Sequence, residues 1–183
     1  QTVSVGKGVR IISENGPEVT TIFGRSIASG APLILVNNQA AMLSGLTISG
    51  KNSDGTQPLQ WSGVRMTALG GLVTNCVIRD HKTVSISVSG AGMRLEGGTV
   101  VDCVFSNNYT LCSGGAGMTG GGIDIRGSGA LVDRCIITNN TVADGGISYG
   151  GGVYINAGTI RNSLIVGNYS VNYGGGLAVA GTG

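Results

Sequence analysis

Short apolar-x-apolar triplets recur along the whole chain. Val9-Arg10-Ile11, Leu33-Ile34-Leu35, Val64-Arg65-Met66, Met93-Arg94-Leu95, Ile123-Asp124-Ile125, Val153-Tyr154-Ile155 and Leu177-Ala178-Val179 follow one another at spacings of 24, 31, 29, 30, 30 and 24 residues. Behind each triplet runs a second apolar series, Val19, Leu43, Val73, Val100, Val132 and Ile160. A third follows three residues later at Ile22, Leu46, Cys76, Cys103, Cys135 and Ser163, and a fourth two residues beyond that at Ile48, Ile78, Phe105, Ile137 and Ile165. Insertions fall between units and leave the spacing within each unit unchanged, so these columns form one internal repeat. Each unit holds period-2 segments rich in Val and Ile, separated by Gly and Asn, which are strand and turn signals. No stretch has helical periodicity.

A unit of this length cannot bury its apolar face alone. Stacking successive units at about 4.8 Å places like residues over like and closes a continuous core. The pattern therefore predicts an all-β fold, a parallel β-solenoid of about six coils and roughly 30 Å in length at that strand spacing. Residues 1–183 are expected to form a single domain, which is an ordinary one-domain length.

Composition narrows the function classes. Glycine fills 35 of 183 positions without the every-third-residue period of collagen, while 41% hydrophobic and 11% charged residues exclude a self-repelling disordered chain. Eleven Lys and Arg against nine Asp and Glu leave +2, too weak a field to imply a nucleic acid or an anionic membrane surface as partner. No apolar run approaches the roughly 18 residues of a spanning helix, so membrane insertion by a helix is not expected. The chain opens at Gln1 rather than Met, which leads to the expectation of a processed protein or an excerpt. The final triplet is followed only by Ala180-Gly181-Thr182-Gly183, and the first unit has no capping helix. Open coil ends of this kind expose core and unpaired backbone, so self-association through the ends, even fibre formation, is an expectation.

Glycine-rich segments precede several triplets: Gly120-Gly121-Gly122-Ile123, Gly150-Gly151-Gly152-Val153 and Gly174-Gly175-Gly176-Leu177. Phe105-Ser106-Asn107-Asn108 has the form FxxN, and Ile137-Thr138-Asn139-Asn140 and Ile165-Val166-Gly167-Asn168 are variants of it. Over roughly residues 9 to 183 this pairing resembles the GGA(I/L/V) and FxxN repeats of polymorphic outer-membrane proteins, within the right-handed parallel β-helix, pectin-lyase-like group; a third Gly stands where that family has Ala. The resemblance implies a right-handed β-helix on a secreted or surface-displayed bacterial protein, often adhesive. It implies no catalytic residue and no cofactor.

Candidate chemistry is sparse. Cys76, Cys103 and Cys135 share one column without zinc-like spacing, which predicts an inward ladder of reduced thiols and no metal site. Cys112 falls outside that column in a Gly-rich stretch. Asn108, Asn140 and Asn168, with His81 in the same column, predict a ladder that stabilises a turn, since Asn tolerates positive φ and its amides bond along a stack. Arg79-Asp80-His81-Lys82 is the one place where acid, base and cation types gather, and a lone cluster at a turn reads as solvated surface. Asp102 and Asp133 differ by one residue in coil position and do not form a carboxylate pair. Outward positions of the triplets hold Arg65, Arg94 and Asp124, a charge ladder or a surface for an acidic glycan. Trp61, Tyr109, Tyr149, Tyr169 and Tyr173 lie in variable segments expected on one edge, where they either staple the loops or form a rim for a glycan or a host or cell-surface protein. Residues 83–89, with Val84, Ile86 and Val88 alternating, predict an extra strand at the same edge.

Two function classes follow. The favoured one is a non-catalytic extracellular or bacterial cell-surface module, adhesive or structural. The alternative is a polysaccharide lyase or glycoside hydrolase of the pectin-lyase-like group, which would need outward acids and cations clustered on adjacent coils.

Overall fold

A run of residues that alternates over three positions and then bends makes a short strand, and here each such strand finds its partner about one repeat away. The computed structural model describes residues 2–24, 31–55, 62–85, 90–112, 117–143 and 146–180. All strands among them pair in parallel, and no helix occurs among the described residues. The first sheet stacks Val3–Val5, Ile34–Val36, Val64–Met66, Met93–Leu95, Ile123–Ile125, Val153–Ile155 and Leu177–Val179 in chain order. The second stacks Arg10–Ile12, Met42–Ser44, Leu72–Thr74, Thr99–Val101, Leu131–Asp133 and Thr159–Arg161. The third stacks Thr21–Phe23, Thr47–Ser49, Val77–Arg79, Val104–Ser106, Ile136–Thr138 and Leu164–Val166. Chain order within each sheet together with parallel pairing makes the molecule a β-solenoid, and six strands in the second and third sheets match the coil number expected from the repeat.

Two further sheets cover only the later coils. Lys82–Ser85, Tyr109–Cys112, Thr141–Ala143 and Tyr169–Ser170 form a fourth sheet, and Met118–Thr119 with Ser148–Tyr149 a fifth, which a bridge from Tyr149 to Tyr173 continues. The extra strand expected within residues 83–89 is Lys82–Ser85; the rest of that segment lies outside the described residues.

The core is built of columns. Ile34, Val64, Met93, Ile123 and Val153, then Val36, Met66, Leu95 and Ile125, point inward from the first sheet; Leu43, Val73, Val100 and Val132 face them from the second, and Ile48, Ile78, Phe105 and Ile137 from the third. All of them are fully buried. Burying each such side chain contributes roughly 1.5–3 kcal/mol, so repetition multiplies a small gain. Ile11, Ile22, Ile160 and Ile165 are only partly buried because a neighbouring coil covers them on one side alone.

Pairing corrects the expected register of the first two coils. Val9-Arg10-Ile11 is not the first triplet of its column: Ile11 pairs with Leu43 in the second sheet, and Val3-Ser4-Val5 takes the first-sheet place. Leu33-Ile34-Leu35 is displaced by one residue, since Ile34 pairs with Val64, so Ile34 faces in and Leu35 faces out. Val19 belongs to no strand and is exposed, and Ile22 pairs with Ile48 rather than standing beside Leu46. The physical reason is a longer connection, residues 13–20, where the second coil turns from the second to the third sheet through Gly45-Leu46 alone. Period-2 alternation leaves such a slip undetected when both alternating sets are apolar.

Two sharp corners recur in every complete later coil. Between the second and third sheets, Gly45, Asn75, Asp102, Arg134 and Asn162 have φ of 68°, 49°, 54°, 50° and 50°. Between the third and fourth, Asp80, Asn107, Asn139 and Gly167 have φ of 60°, 55°, 54° and 66°. Asn, Asp and Gly tolerate this left-handed conformation best, and one such residue turns the chain so that the next side chain points inward. The positive φ thus sits one residue before the column of Asn108, Asn140 and Asn168, not on it.

Candidate functional site

The second corner carries a continuous ladder of side-chain amides. Asn168 Oδ1 accepts from the backbone N–H and Nδ2 of Asn140 at 2.9 and 3.0 Å, and Asn140 Oδ1 accepts from the same groups of Asn108 at 3.0 and 2.9 Å. Each Nδ2 also donates to a carbonyl of the preceding coil: Asn108 to Ile78, Asn140 to Phe105 and Asn168 to Ile137, at 3.0, 2.9 and 2.8 Å. His81 continues the ladder. Its backbone N–H donates to Asn108 Oδ1 at 3.1 Å, and its Nε2 lies 3.1 Å from the carbonyl of Ile48, the place an amide nitrogen takes elsewhere. A carbonyl only accepts, so the ring carries its proton on Nε2.

Beside that ladder only glycine fits, because the next coil's backbone and the ladder amide both crowd the place of a Cβ: Gly122, Gly152 and Gly176 O would lie 2.5, 2.7 and 2.6 Å from a Cβ on Gly92, Gly122 and Gly152. A Cβ on Gly92, Gly122 or Gly152 would lie 2.8, 3.0 or 2.8 Å from the amide nitrogen of Asn108, Asn140 or Asn168, and one on Gly63 would collide with His81 Nε2. His81, Asn108 and Asn140 are fully buried. Burial pushes the His81 pKa down to about 4, against a smaller upward pull from the Ile48 carbonyl. His81 is therefore neutral at pH 7 and sits inside the rod, away from Arg79, Asp80 and Lys82 on the corner.

The first corner repeats the same wiring with sulfur. Cys76, Cys103 and Cys135 are buried and free, and Ser163 continues their column. Cys103 Sγ accepts from the Cys76 N–H at 3.4 Å and donates toward the Val73 carbonyl at 3.6 Å; Cys135 Sγ lies 3.8 Å from the Val100 carbonyl, and Ser163 Oγ accepts from the Cys135 N–H at 3.1 Å. The neighbouring thiols of Cys135 and Cys76, together with burial, push the Cys103 pKa well above the ordinary thiol range. Cys112 ends a fourth-sheet strand, and its side chain lies outside the described set. Among the described residues no group of His, Cys, Asp or Glu is arranged to hold a metal ion.

On the outer surface the charges of the later coils form ion pairs. Glu96 is clasped by Arg65 at 3.0 Å and Arg94 at 2.8 Å, and Asp124 by Arg126 at 2.7 Å. Glu96 and Arg126 stand two residues beyond Arg94 and Asp124, on the same face by strand alternation, a signal the triplet columns alone miss. Asp124 is outward by register yet fully buried, its Oδ1 has no hydrogen-bond partner, and burial raises its pKa. Arg134 joins Asp102 at 2.8 Å to Asp133 at 3.1 Å, and Arg161 and Asn162 also bond Asp133; Asn162 and Arg161 hold its carboxyl below the usual carboxylate range. Asp80 takes Arg79 at 3.1 Å and Lys51 at 3.5 Å. These acids serve ion pairs.

Aromatic side chains fall in two groups. Tyr149 stacks on Tyr173 with centroids 5.1 Å apart and planes 17° from parallel, and it meets the tilted ring of Tyr154 at 6.1 Å. Tyr154 stands in register with Asp124 on the first sheet, and Thr119 in register with Tyr149 on the fifth. Tyr109 and Tyr169 belong instead to the fourth sheet, on either side of Thr141 in one column, and Lys82 Nζ lies 5.6 Å from the Tyr109 ring centre. Tyr169 and Tyr173 are more than half exposed. Trp61 lies outside the described residues. Tyr109 and Tyr169 thus belong to the fourth sheet, while Tyr149, Tyr154 and Tyr173 cluster where the fifth sheet meets the first.

No protein-family model, curated protein or solved structure matches this chain. The parallel β-solenoid rests on its strand pairing alone.

Proposed function

We propose that this chain is a non-catalytic module of an extracellular or bacterial cell-surface protein, adhesive or structural, whose finer kinship is with right-handed β-helices bearing polymorphic outer-membrane protein repeats. The observation that carries this reading is the pairing of acids on the sheet faces and corners: Asp80, Asp102, Asp124, Asp133 and Glu96 all serve ion pairs. A polysaccharide lyase or hydrolase needs a carboxylate or base within reach of its substrate. Asp124, whose raised pKa would suit a general acid, is sealed from solvent, and His81 lies inside the rod.

Recognition falls to the exposed tyrosines. Tyr169 on the fourth-sheet face and Tyr173 beside Tyr149 and Tyr154 offer aromatic surface to a glycan or a host or cell-surface protein. At both coil ends members of the inward columns are left incompletely covered, Ile11 and Ile22 at one and Ile160, Ile165 and Val179 at the other. Covering them with another coil of the same polypeptide or with a second copy would bury that surface, and end-to-end assembly is the structural side of the proposal.

A glycan array and a panel of cell-surface proteins, run beside lyase and hydrolase assays on the same preparation, test the reading. Binding without turnover, lost in Tyr169→Ala or Tyr149→Ala/Tyr173→Ala with unchanged far-UV spectra, is the expected result. Turnover of any polysaccharide would replace it with the enzymatic alternative.

A further inference from the structure

The amide ladder contains one member of a different chemical kind. Asn108, Asn140 and Asn168 are neutral at every pH a protein meets, whereas imidazole takes up a proton in mild acid when water reaches it. His81 occupies the same column with the same two kinds of bond, to Asn108 on the next coil and to Ile48 on the preceding one. The ring packs directly on Gly63, and the backbone at His81 packs on Gly50. A Cβ on Gly63 would collide with Nε2, and one on Gly50 would collide with the backbone at Asp80 and lie 2.5 Å from the His81 Cα.

Among the described residues, the charged groups around this corner are already engaged elsewhere. Asp80, the adjoining acid, already holds Arg79 and Lys51, and Lys82, which follows, lies toward the Tyr109 ring. Ile48 and Gly50 on the preceding coil, Gly63 across the corner and Asn108 on the next coil are all uncharged. A proton is accepted far more readily once the ring reaches water.

We infer that His81 is an acid-sensitive latch: as the pH falls below neutral the ring leaves the interior to be protonated, and the third-to-fourth-sheet corner of its coil opens while the Asn-based corners stay closed. The latch joins the second coil to the block of coils that carries the fourth sheet, so its opening loosens the rod at one defined height.

Hydrogen exchange on the full 183-residue chain tests this. The reporting amides are those bonded across the corner: Gly50 to Arg79, Asp80 to Ser106, His81 to Asn108 and Tyr109 to His81. Opening that exposes a histidine of ordinary pKa near 6.5 from a site with pKa about 4 becomes about 30-fold more favourable at pH 5 than at pH 7.5. The reference is His81→Asn, which installs the side chain the column carries elsewhere. Wild type should lose about 30-fold protection at these amides relative to the variant at pH 5 and match it at pH 7.5, with Asn140 and Tyr169 unchanged in both. Equal protection at pH 5 would overturn the latch. The His81 ring signal in wild type gives an independent reading: protonation that coincides with loss of protection at these amides supports the inference, and titration of the ring while they stay protected overturns it.

Discussion

The two corners of each coil share one backbone device and differ in the atoms that use it. At both, a residue with positive φ turns the following side chain inward, and that side chain accepts from a neighbouring coil's N–H while donating to a carbonyl. Amides do this at 2.8 to 3.1 Å; thiols reach across coils at 3.4 to 3.8 Å and back to their own strand's carbonyls at 3.2 to 3.3 Å. Sulfur is a weak donor and a weak acceptor, so the thiol corner is held mainly by packing, and Leu46, which cannot hydrogen-bond, fills the same slot. The amide corner has no such freedom. Geometry there is set by the turn, and strength by the chemistry of the side chain.

Asn140→Ala should have the largest effect. It strands the Asn108 N–H and the Phe105 carbonyl inside the rod, at roughly 1–3 kcal/mol for each unpaired group, so a loss of about 3–4 kcal/mol is expected in urea unfolding. Cys103→Ala, the matching change at the other corner, should cost only about 1–2 kcal/mol. Equal losses would break the contrast between the corners.

Acid should discriminate next. The folded-state pKa of His81 is depressed, so the stability it contributes is present above pH 6.5 and is lost as the pH falls toward 4. The full loss is on the order of 3 kcal/mol, visible as a lower melting temperature at pH 4.5 than at pH 7.5 beyond that of His81→Asn. Melting temperatures that move in parallel for the two proteins would remove histidine from the account.

Thiol chemistry sharpens the comparison from the other corner. Cys76, Cys103 and Cys135 should resist alkylation in the native protein and react after urea, so that native labelling reaches Cys112 at most. Rapid modification of all four would contradict an inward thiol column. The smallest effect is expected for Arg134→Gly, at the positive-φ position that Gly45 holds three coils earlier. Relief of backbone strain and loss of exposed ion pairs to Asp102 and Asp133 are each about 1 kcal/mol and oppose each other, so denaturation midpoints should barely move.

Much of this architecture was legible because repetition averages out local ambiguity. The Val73, Val100 and Val132 column and the Ile78, Phe105 and Ile137 column stand in the structure where the spacing put them. The first coil was misplaced because residues 13–20 break the period where no earlier unit exists to set the register. The surface was less legible. Arg65, Arg94 and Asp124 were visible as an outward row, but Glu96 and Arg126, which neutralise them, lie outside the triplet, and the aromatic residues divide between two sheets according to where each loop returns.

Sequence alone determined the class of fold, the columns and the corner composition, since like residues at a fixed interval can bury their apolar faces only by stacking. Tertiary structure decided what a column cannot say: that the sole histidine turns into the rod, that Asp124 is outward by register and still sealed from water, and that a Cβ on Gly92, Gly122 or Gly152 would meet the next coil's carbonyl as well as the ladder amide. Each depends on what a neighbouring coil places within about 3 Å, and that distance is set by the turn of the backbone rather than by the order of residues along it.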